Sequence, residues 1–192
     1  PEINTKIIQK TKDEKFIPYK RDEKTLARDW ALPGTPGLEH RIGGLEKAAN
    51  TGNVSYDADN HDYMVKLRQE KVDVIADFIP EIEVYGASKG ELLVLSWGGT
   101  YGACRAAVEK ANKNKISVSH INLRYINPFP KNLADILLKF NKVLIPEINL
   151  GQLSTIIRSK YLIDTLNFNR VSGKPFTTTD IYEKIEKIIK EN

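Results

Sequence analysis

The chain has 192 residues, 41% of them hydrophobic and 28% charged, so it can bury a sizeable core and lacks the charge excess of a disordered segment. Its 29 basic and 25 acidic residues leave a formal charge of +4 with the two signs interleaved, which argues against the massed Lys/Arg stripe of a nucleic-acid binder. The single cysteine, Cys104, excludes an internal disulfide, a structural zinc or an iron–sulfur cluster held by this chain alone, and no run reaches the roughly 18 apolar residues of a membrane span, so a reducing, cytoplasmic setting is expected.

The sequence opens on Pro1 rather than Met, which points to a piece of a longer chain or to a processed N-terminus. Residues 1–60 lack periodicity: "KTKDEKFIPYKRDEKTLARDW" is highly charged and "LPGTPGLEHRIGGLEKAANTGN" is dense in Gly and Pro. Both read as loops and turns, too long for a connection inside one compact domain, so the segment is expected to belong to neighbouring structure. From Asn60 to Phe78, Met64, Leu67, Val72, Ile75 and Phe78 recur at helical spacings and predict an amphipathic helix that Pro80 ends.

An alternation follows. "ELLVLSW", "ISVSHINLRYI", "KVLIPEI" and the short "FNRVSG" read as strands, and "YGACRAAVEKANKN", "KNLADILLKFN" and "GQLSTIIRSKYLIDTL" as helices between them. Continuous apolar strands separated by helices predict an α/β fold, a mostly parallel sheet covered on both faces. The closing "TTTDIYEKIEKIIKEN" predicts a helix capped by Asp180 with Glu183 three residues on. Ile181, Ile185, Ile188 and Ile189 form its apolar stripe, and Asp180–Lys184, Glu183–Lys187 and Glu186–Lys190 are its i,i+4 pairs.

The strand-to-helix turn at "SWGGTYGAC" suggests a phosphate cradle. A dinucleotide site needs G-x-G-x-x-G and an acid about 20 positions later; here Gly98, Gly99 and Gly102 give G-G-x-x-G, and the next strand ends in Arg124. A nucleotide-binding module therefore stands only as an alternative to a plain helix start, with Arg124 available to a 2′-phosphate. His40, His61 and His120 are scattered, and His120, alternating with apolar residues, reads as a structural histidine. No P-loop, no paired metal-spaced histidines and no nucleophile elbow occur.

"ELLVLSWGGTYGACRAA", "ISVSHINLRYINPFP" and "KVLIPEINLGQLSTIIR" together resemble the C-terminal domain of transketolase-like thiamine enzymes, which implies a three-layer α/β/α sandwich that carries no thiamine itself. "ALPGTPGLEHRIGGLE", "TGNVSYDADNHDYMVKLRQEKV", "INPFP" and "EINLGQL" are similar to the α subunit of 2-oxoacid:ferredoxin oxidoreductases, in particular the 2-oxoglutarate type. The resemblance runs from about Phe16 to the C-terminus. It implies that residues 1–80 are the tail of the pyrimidine-domain region with a connecting helix and that 81–192 are the transketolase C-terminal-like domain. The whole enzyme would use thiamine diphosphate, Mg²⁺ and an iron–sulfur cluster, none bound by this fragment, with CoA and a 2-oxoacid as substrates and the β subunit and ferredoxin as partners. Pyruvate as the 2-oxoacid, or a related enzyme that requires a lipoyl-domain partner, are the alternatives. No catalytic residue and no metal ligand is expected in these residues. The carboxylate that activates the aminopyrimidine is expected upstream, and the diphosphate and Mg²⁺ motif in the β subunit.

Within this frame His40 and Arg41, in a flexible loop, are candidates for a substrate carboxylate or a CoA phosphate; the alternative for Arg41 is a loop pair with Glu39 or Glu46. Arg124 and Glu147, at the carboxyl ends of two strands, are loop or interface candidates, read as a buried ion pair that fixes the loops for subunit docking. Asn149 and Gln152 are expected to cap the following helix or to bond across that interface. Trp97, Tyr125 and Phe129 read equally as a subunit contact or as core.

Overall fold

The computed structural model describes residues 15–191 together with Ile7–Ile8; the loops expected over the rest of 1–14 lie outside the described residues. The chain divides into two units, one ending at Phe78 and one starting at Ile79.

Among its described residues the first unit is mostly turns and loops ahead of one helix, as the Gly and Pro density predicts. Strands β1 (Ile7–Ile8) and β2 (Trp30–Ala31) form a two-residue parallel pair. Helix α1 (Ala58–Asp73) starts where the Asp57 side chain accepts the N–H of Asn60 at 2.7 Å. Its helical spacing holds only in part: Met64 and Leu67 are buried against Tyr19, whereas Ile75 and Phe78 lie exposed beyond α1. The periodicity outruns the helix because residues Val74–Asp77 tighten into a 3₁₀ turn, which moves the later apolar residues off the buried stripe.

The second unit holds a four-stranded sheet. Strands β3 (Gly90–Trp97), β4 (Ser119–Leu123), β5 (Phe140–Glu147) and β6 (Leu166–Asn169) run parallel in the order β4-β3-β5-β6. Side chains alternate across a strand, so β3 divides itself between two cores. Leu92 and Val94 face helices α2 (Tyr101–Lys113) and α5 (Thr178–Lys190); Leu93 and Leu95 face α3 (Leu133–Leu137) and α4 (Gln152–Tyr161). This is the expected three-layer α/β/α arrangement, and a strand buried on both faces explains why "LLVL" is uninterrupted.

Small residues on α2 set the α5 layer. Cys104, Ala107, Val108 and Ala111 are buried at helical spacing and pack with Ile181, Ile185 and Ile188 of α5. Each buried isoleucine contributes about 1.5–3 kcal/mol. Beside this seam Asn114 donates to the Tyr182 hydroxyl at 2.8 Å.

Several local expectations are corrected. Thr177, in extended conformation, is the N-cap of α5: its Oγ1 accepts the Asp180 N–H at 3.1 Å, while Asp180 Oδ2 accepts the Thr177 N–H at 2.7 Å. Asp180 thus sits at the third helical position and pairs with Arg170 at 2.9 Å instead of Lys184. Glu186 accepts from the Tyr182 hydroxyl, and Lys187 pairs with Glu191. Phe140 and Asn141, read as helix, open β5, because α3 closes at Leu137 and Phe140 packs into the sheet's own core. Helix α4 stops at Tyr161, where Leu162 turns left-handed with φ of 55°, and β6 therefore begins at Leu166.

Candidate functional site

In a parallel sheet every strand delivers its last residue to the same edge, the edge where such folds place functional groups. Here that edge collects Trp97, Arg124, Glu147 and the loops behind them.

Glu147, the last residue of β5, is fully buried. Its Oε1 accepts the backbone N–H of Leu153 at 2.9 Å and the Asn149 side-chain amide at 3.1 Å, and its Oε2 accepts the N–H of Ser154 at 3.1 Å. Asn149 Oδ1 takes the N–H groups of Gly151 at 2.7 Å and Gln152 at 3.2 Å. Two side chains therefore satisfy four consecutive N–H groups at the start of α4, which would otherwise be orphaned, and the carboxylate lies at the positive end of the helix dipole. Asn149 caps as expected. Gln152 takes part through its backbone, and its side chain is exposed.

The expected Arg124–Glu147 ion pair does not form. Strand β3 lies between β4 and β5, so the two residues leave the sheet two strands apart, about 10 Å across the hydrogen-bonding direction. Arg124 is exposed, and Glu147 is saturated by the amides of α4. Phe129 is core, packed on Tyr161 with ring centroids 5.9 Å apart, and Trp97 packs against the same core. Tyr125 is exposed beside Arg124.

Between the β4 and β3 ends lies a cleft of about 850 Å³ bordered by Tyr85, Gly98, Tyr101, Arg105, Asn122 and Arg124. Its floor is a hydrogen-bonded cluster. His120 Nε2 and Ser96 Oγ are 2.7 Å apart, and Ser96 Oγ donates to Asn122 Oδ1 at 2.9 Å. With the hydroxyl proton so used, the imidazole carries its proton on Nε2 and donates to Ser96. Burial, then the charge of Arg105, pushes the His120 pKa down to about 4, so the ring is neutral at pH 7. Arg105 itself stacks 3.2 Å over the Tyr85 ring and donates from Nε to Glu109 at 2.8 Å. Ser96 and His120 are both buried in strand interiors, which makes this hydroxyl–imidazole contact a structural bond rather than a nucleophile and its base.

Gly98 adopts φ of 54°, and residues Gly98–Thr100 form one 3₁₀ turn locked by Thr100 Oγ1, which donates to the Trp97 carbonyl at 2.9 Å. The glycine is there for the left-handed turn that starts α2, in line with the plain reading of "GGT". Around it the edge exposes Tyr101, Ile126, Ile148 and Leu150, the last 81% accessible. The polar groups of the Ser96–His120–Asn122 cluster are thus satisfied, while the residues exposed around the turn are apolar.

In the first unit His40 Nδ1 lies 2.8 Å from the Leu38 carbonyl, which fixes Nδ1 as the donor. Arg41 is exposed and makes no ion pair among the described residues; Glu46 is instead taken by Arg68 at 3.1 Å and His61 at 2.7 Å. Among the described residues no three His, Cys, Asp or Glu side chains converge on a metal position. Cys104 is buried, its thiol pushed up to about 12 by burial, and does not fit a cluster ligand. No helix among the described residues is long and apolar enough to cross a membrane.

Ser96, Tyr85, Tyr101 and Arg105 were not legible as site residues. Strand order makes Ser96 and Asn122 register partners, and only an i,i+4 Arg105–Glu109 spacing marks the helix side.

Residues 90–181 match the family "pyruvate:ferredoxin oxidoreductase core domain II". The chain is 48% identical, over 88% of its length, to 2-oxoglutarate oxidoreductase subunit KorA of Mycobacterium tuberculosis, and covers 26% of that protein. It is 26% identical over 73% of its length to the 2-oxoacid:ferredoxin oxidoreductase subunit alpha of Saccharolobus solfataricus, covering 23% of it. Among solved structures, 2-oxoglutarate:ferredoxin oxidoreductase from Magnetococcus marinus, with 2-oxoglutarate, coenzyme A and succinyl-CoA bound, superposes with a TM-score of 0.85 at 28% identity. That match covers 93% of this chain and 31% of the other. The chain thus spans about a quarter to a third of the length of the proteins it matches.

Proposed function

The chain belongs to the α-subunit family of 2-oxoacid:ferredoxin oxidoreductases, and on that premise we propose that it is the C-terminal part of a cytoplasmic 2-oxoglutarate:ferredoxin oxidoreductase α subunit. The complete enzyme converts 2-oxoglutarate, CoA and oxidised ferredoxin to succinyl-CoA, CO₂ and reduced ferredoxin. The observation that carries this reading is the 48% identity to the 2-oxoglutarate subunit, against 26% to the general 2-oxoacid subunit.

In this enzyme thiamine diphosphate supplies the electron sink for decarboxylation. The residues described here do not fit that cofactor's Mg²⁺ or an iron–sulfur cluster, so these groups are assigned to the upstream part of the α chain and to the β subunit. The role left for this part is assembly and closure. Residues up to about 80 end the pyrimidine-domain region, and the domain after it offers the apolar sheet edge of Tyr101, Ile126, Ile148 and Leu150 to the β subunit. The Glu147–Asn149 cap holds that edge rigid, because every N–H it binds belongs to the same loop and helix start.

Arg41 is assigned to the substrate side. Its guanidinium is exposed, lacks an acid among the described residues, and has the fork geometry that binds a carboxylate or a phosphate. His40 positions the loop through Leu38. CoA-dependent viologen reduction by the full-length α chain with its β subunit tests the assignment. Turnover with 2-oxoglutarate but not pyruvate is expected, and in Arg41→Ala a raised KM for 2-oxoglutarate or CoA; turnover with pyruvate alone overturns the branch, and unchanged KM values remove Arg41 from it.

A further inference from the structure

A second cavity, of about 440 Å³, lies wholly within the first unit, walled by residues that no step above uses. Five cations line it, Arg21, Arg28, Lys47, Arg68 and Lys71, and one acid, Glu46. Glu46 is spent: its two oxygens hold Arg68 and His61, and this pairing keeps its carboxyl down at about 2. Lys47 is buried, and its Nζ donates to the Leu45 carbonyl at 2.6 Å.

That leaves Arg21, Arg28 and Lys71 without an acid among the described residues. Arg28 lies 4.2 Å over the Tyr19 ring. Arg21 spends one Nη on the Leu26 carbonyl at 2.9 Å, yet its Nε is buried with no hydrogen-bond partner. A buried guanidinium N–H without an acceptor costs free energy, and three cations around one cavity repel each other. Burial first, and then the charge of neighbouring cations, depresses the pKa of both Arg21 and Lys71, the electrostatic mark of a positive pocket. An anion that sits among the three charges removes their mutual repulsion.

We propose that this cavity is a binding site for a phosphoryl group, the arrangement of three cations around one space suiting a tetrahedral dianion better than a planar monoanion. The cavity volume exceeds a bare phosphate and leaves room for an attached organic body. The site lies among Tyr19, Met64 and the α1 helix, away from the sheet edge in sequence and within its own unit.

Calorimetric titration of the full-length α chain with its β subunit tests it, using inorganic phosphate and phenyl phosphate at fixed ionic strength, with chloride as the reference anion. Saturable phosphate binding is expected, weakened about tenfold or more in Lys71→Gln and abolished in Lys71→Glu, with Lys66→Gln, on the same helix but paired with Asp62, within about twofold of the parent. Tighter binding of phenyl phosphate assigns the ligand an organic body; equal binding assigns free phosphate. Absence of saturable binding, or equal weakening by Lys66→Gln and Lys71→Gln, overturns the site. Because binding is read without turnover, that result leaves the assignment of the enzyme untouched.

Discussion

The carboxylate of Glu147 accepts the backbone N–H of Leu153 at 2.9 Å from a fully buried position, so a charged side chain at a strand end serves as the cap of the next helix. Replacing it by alanine leaves the N–H groups of Leu153 and Ser154 without acceptors in the interior. Glu147→Ala is expected to cost about 3 kcal/mol or more, and Glu147→Gln, which keeps one acceptor, about 1–3 kcal/mol. Urea denaturation checks this; equal stability of all three proteins would show that water replaces the carboxylate.

Gly151 precedes that helix with φ of 97°, and a Cβ there would stand 2.8 Å from Asn169 Nδ2. Gly151→Ala therefore combines backbone strain with a clash, whereas Gly34→Ala, at φ of 86° with open space around it, meets only strain. The first is expected to lose about 2–4 kcal/mol and the second about 1 kcal/mol. Adding Asn169→Ala to Gly151→Ala should recover the difference, and no recovery would place the whole cost in the backbone.

These two positions show how far the sequence could be read. The alternation of strands and helices follows from the uninterrupted "LLVL" and the Ala-rich helix after it, because burial on both faces leaves a direct mark on composition. The role of Glu147 does not, because strand order decides it: β3 separates β5 from β4, and a charge expected to meet Arg124 meets amides six and seven residues onward. The Ser96–His120 bond was hidden for the same reason, since it joins residues 24 apart through strand register. Asn149, by contrast, acts within three residues of itself, and its capping was legible.

His120 gives the fold an acid limit. Its folded pKa of about 4 lies below the ordinary 6.5, so the unfolded chain takes up a proton first as pH falls. Stability from this group is complete above about pH 6.5 and is lost progressively toward pH 4, by on the order of 2–3 kcal/mol. Chemical denaturation at pH 7.5, 6 and 4.5 measures the slope. His120→Gln should flatten it, and an undiminished slope in that variant would move the acid sensitivity to other groups.

Cys104 is fully buried, and its thiol is pushed up to about 12 by burial. The folded protein is expected to resist maleimide for as long as it stays folded, and to react at once in denaturant. Labelling of the native protein at the rate of a free thiol would mean that the α2–α5 seam opens readily.

Ile185, with no exposed surface on α5, fills the core between that helix and the sheet. Ile185→Ala should cost about 2–5 kcal/mol. Leu162→Ala, at a residue 90% exposed, should leave the melting temperature within error. Comparable losses in both would contradict the layering described above.

The proposed assignment to a 2-oxoglutarate:ferredoxin oxidoreductase rests on which acyl-CoA the whole enzyme forms. Mass spectrometry of the acyl-CoA formed by the full-length α chain with its β subunit, given CoA, an electron acceptor and equal 2-oxoglutarate and pyruvate, decides it. Succinyl-CoA formed in step with acceptor reduction is the predicted result; acetyl-CoA as the product, or no acyl-CoA at all, would contradict it.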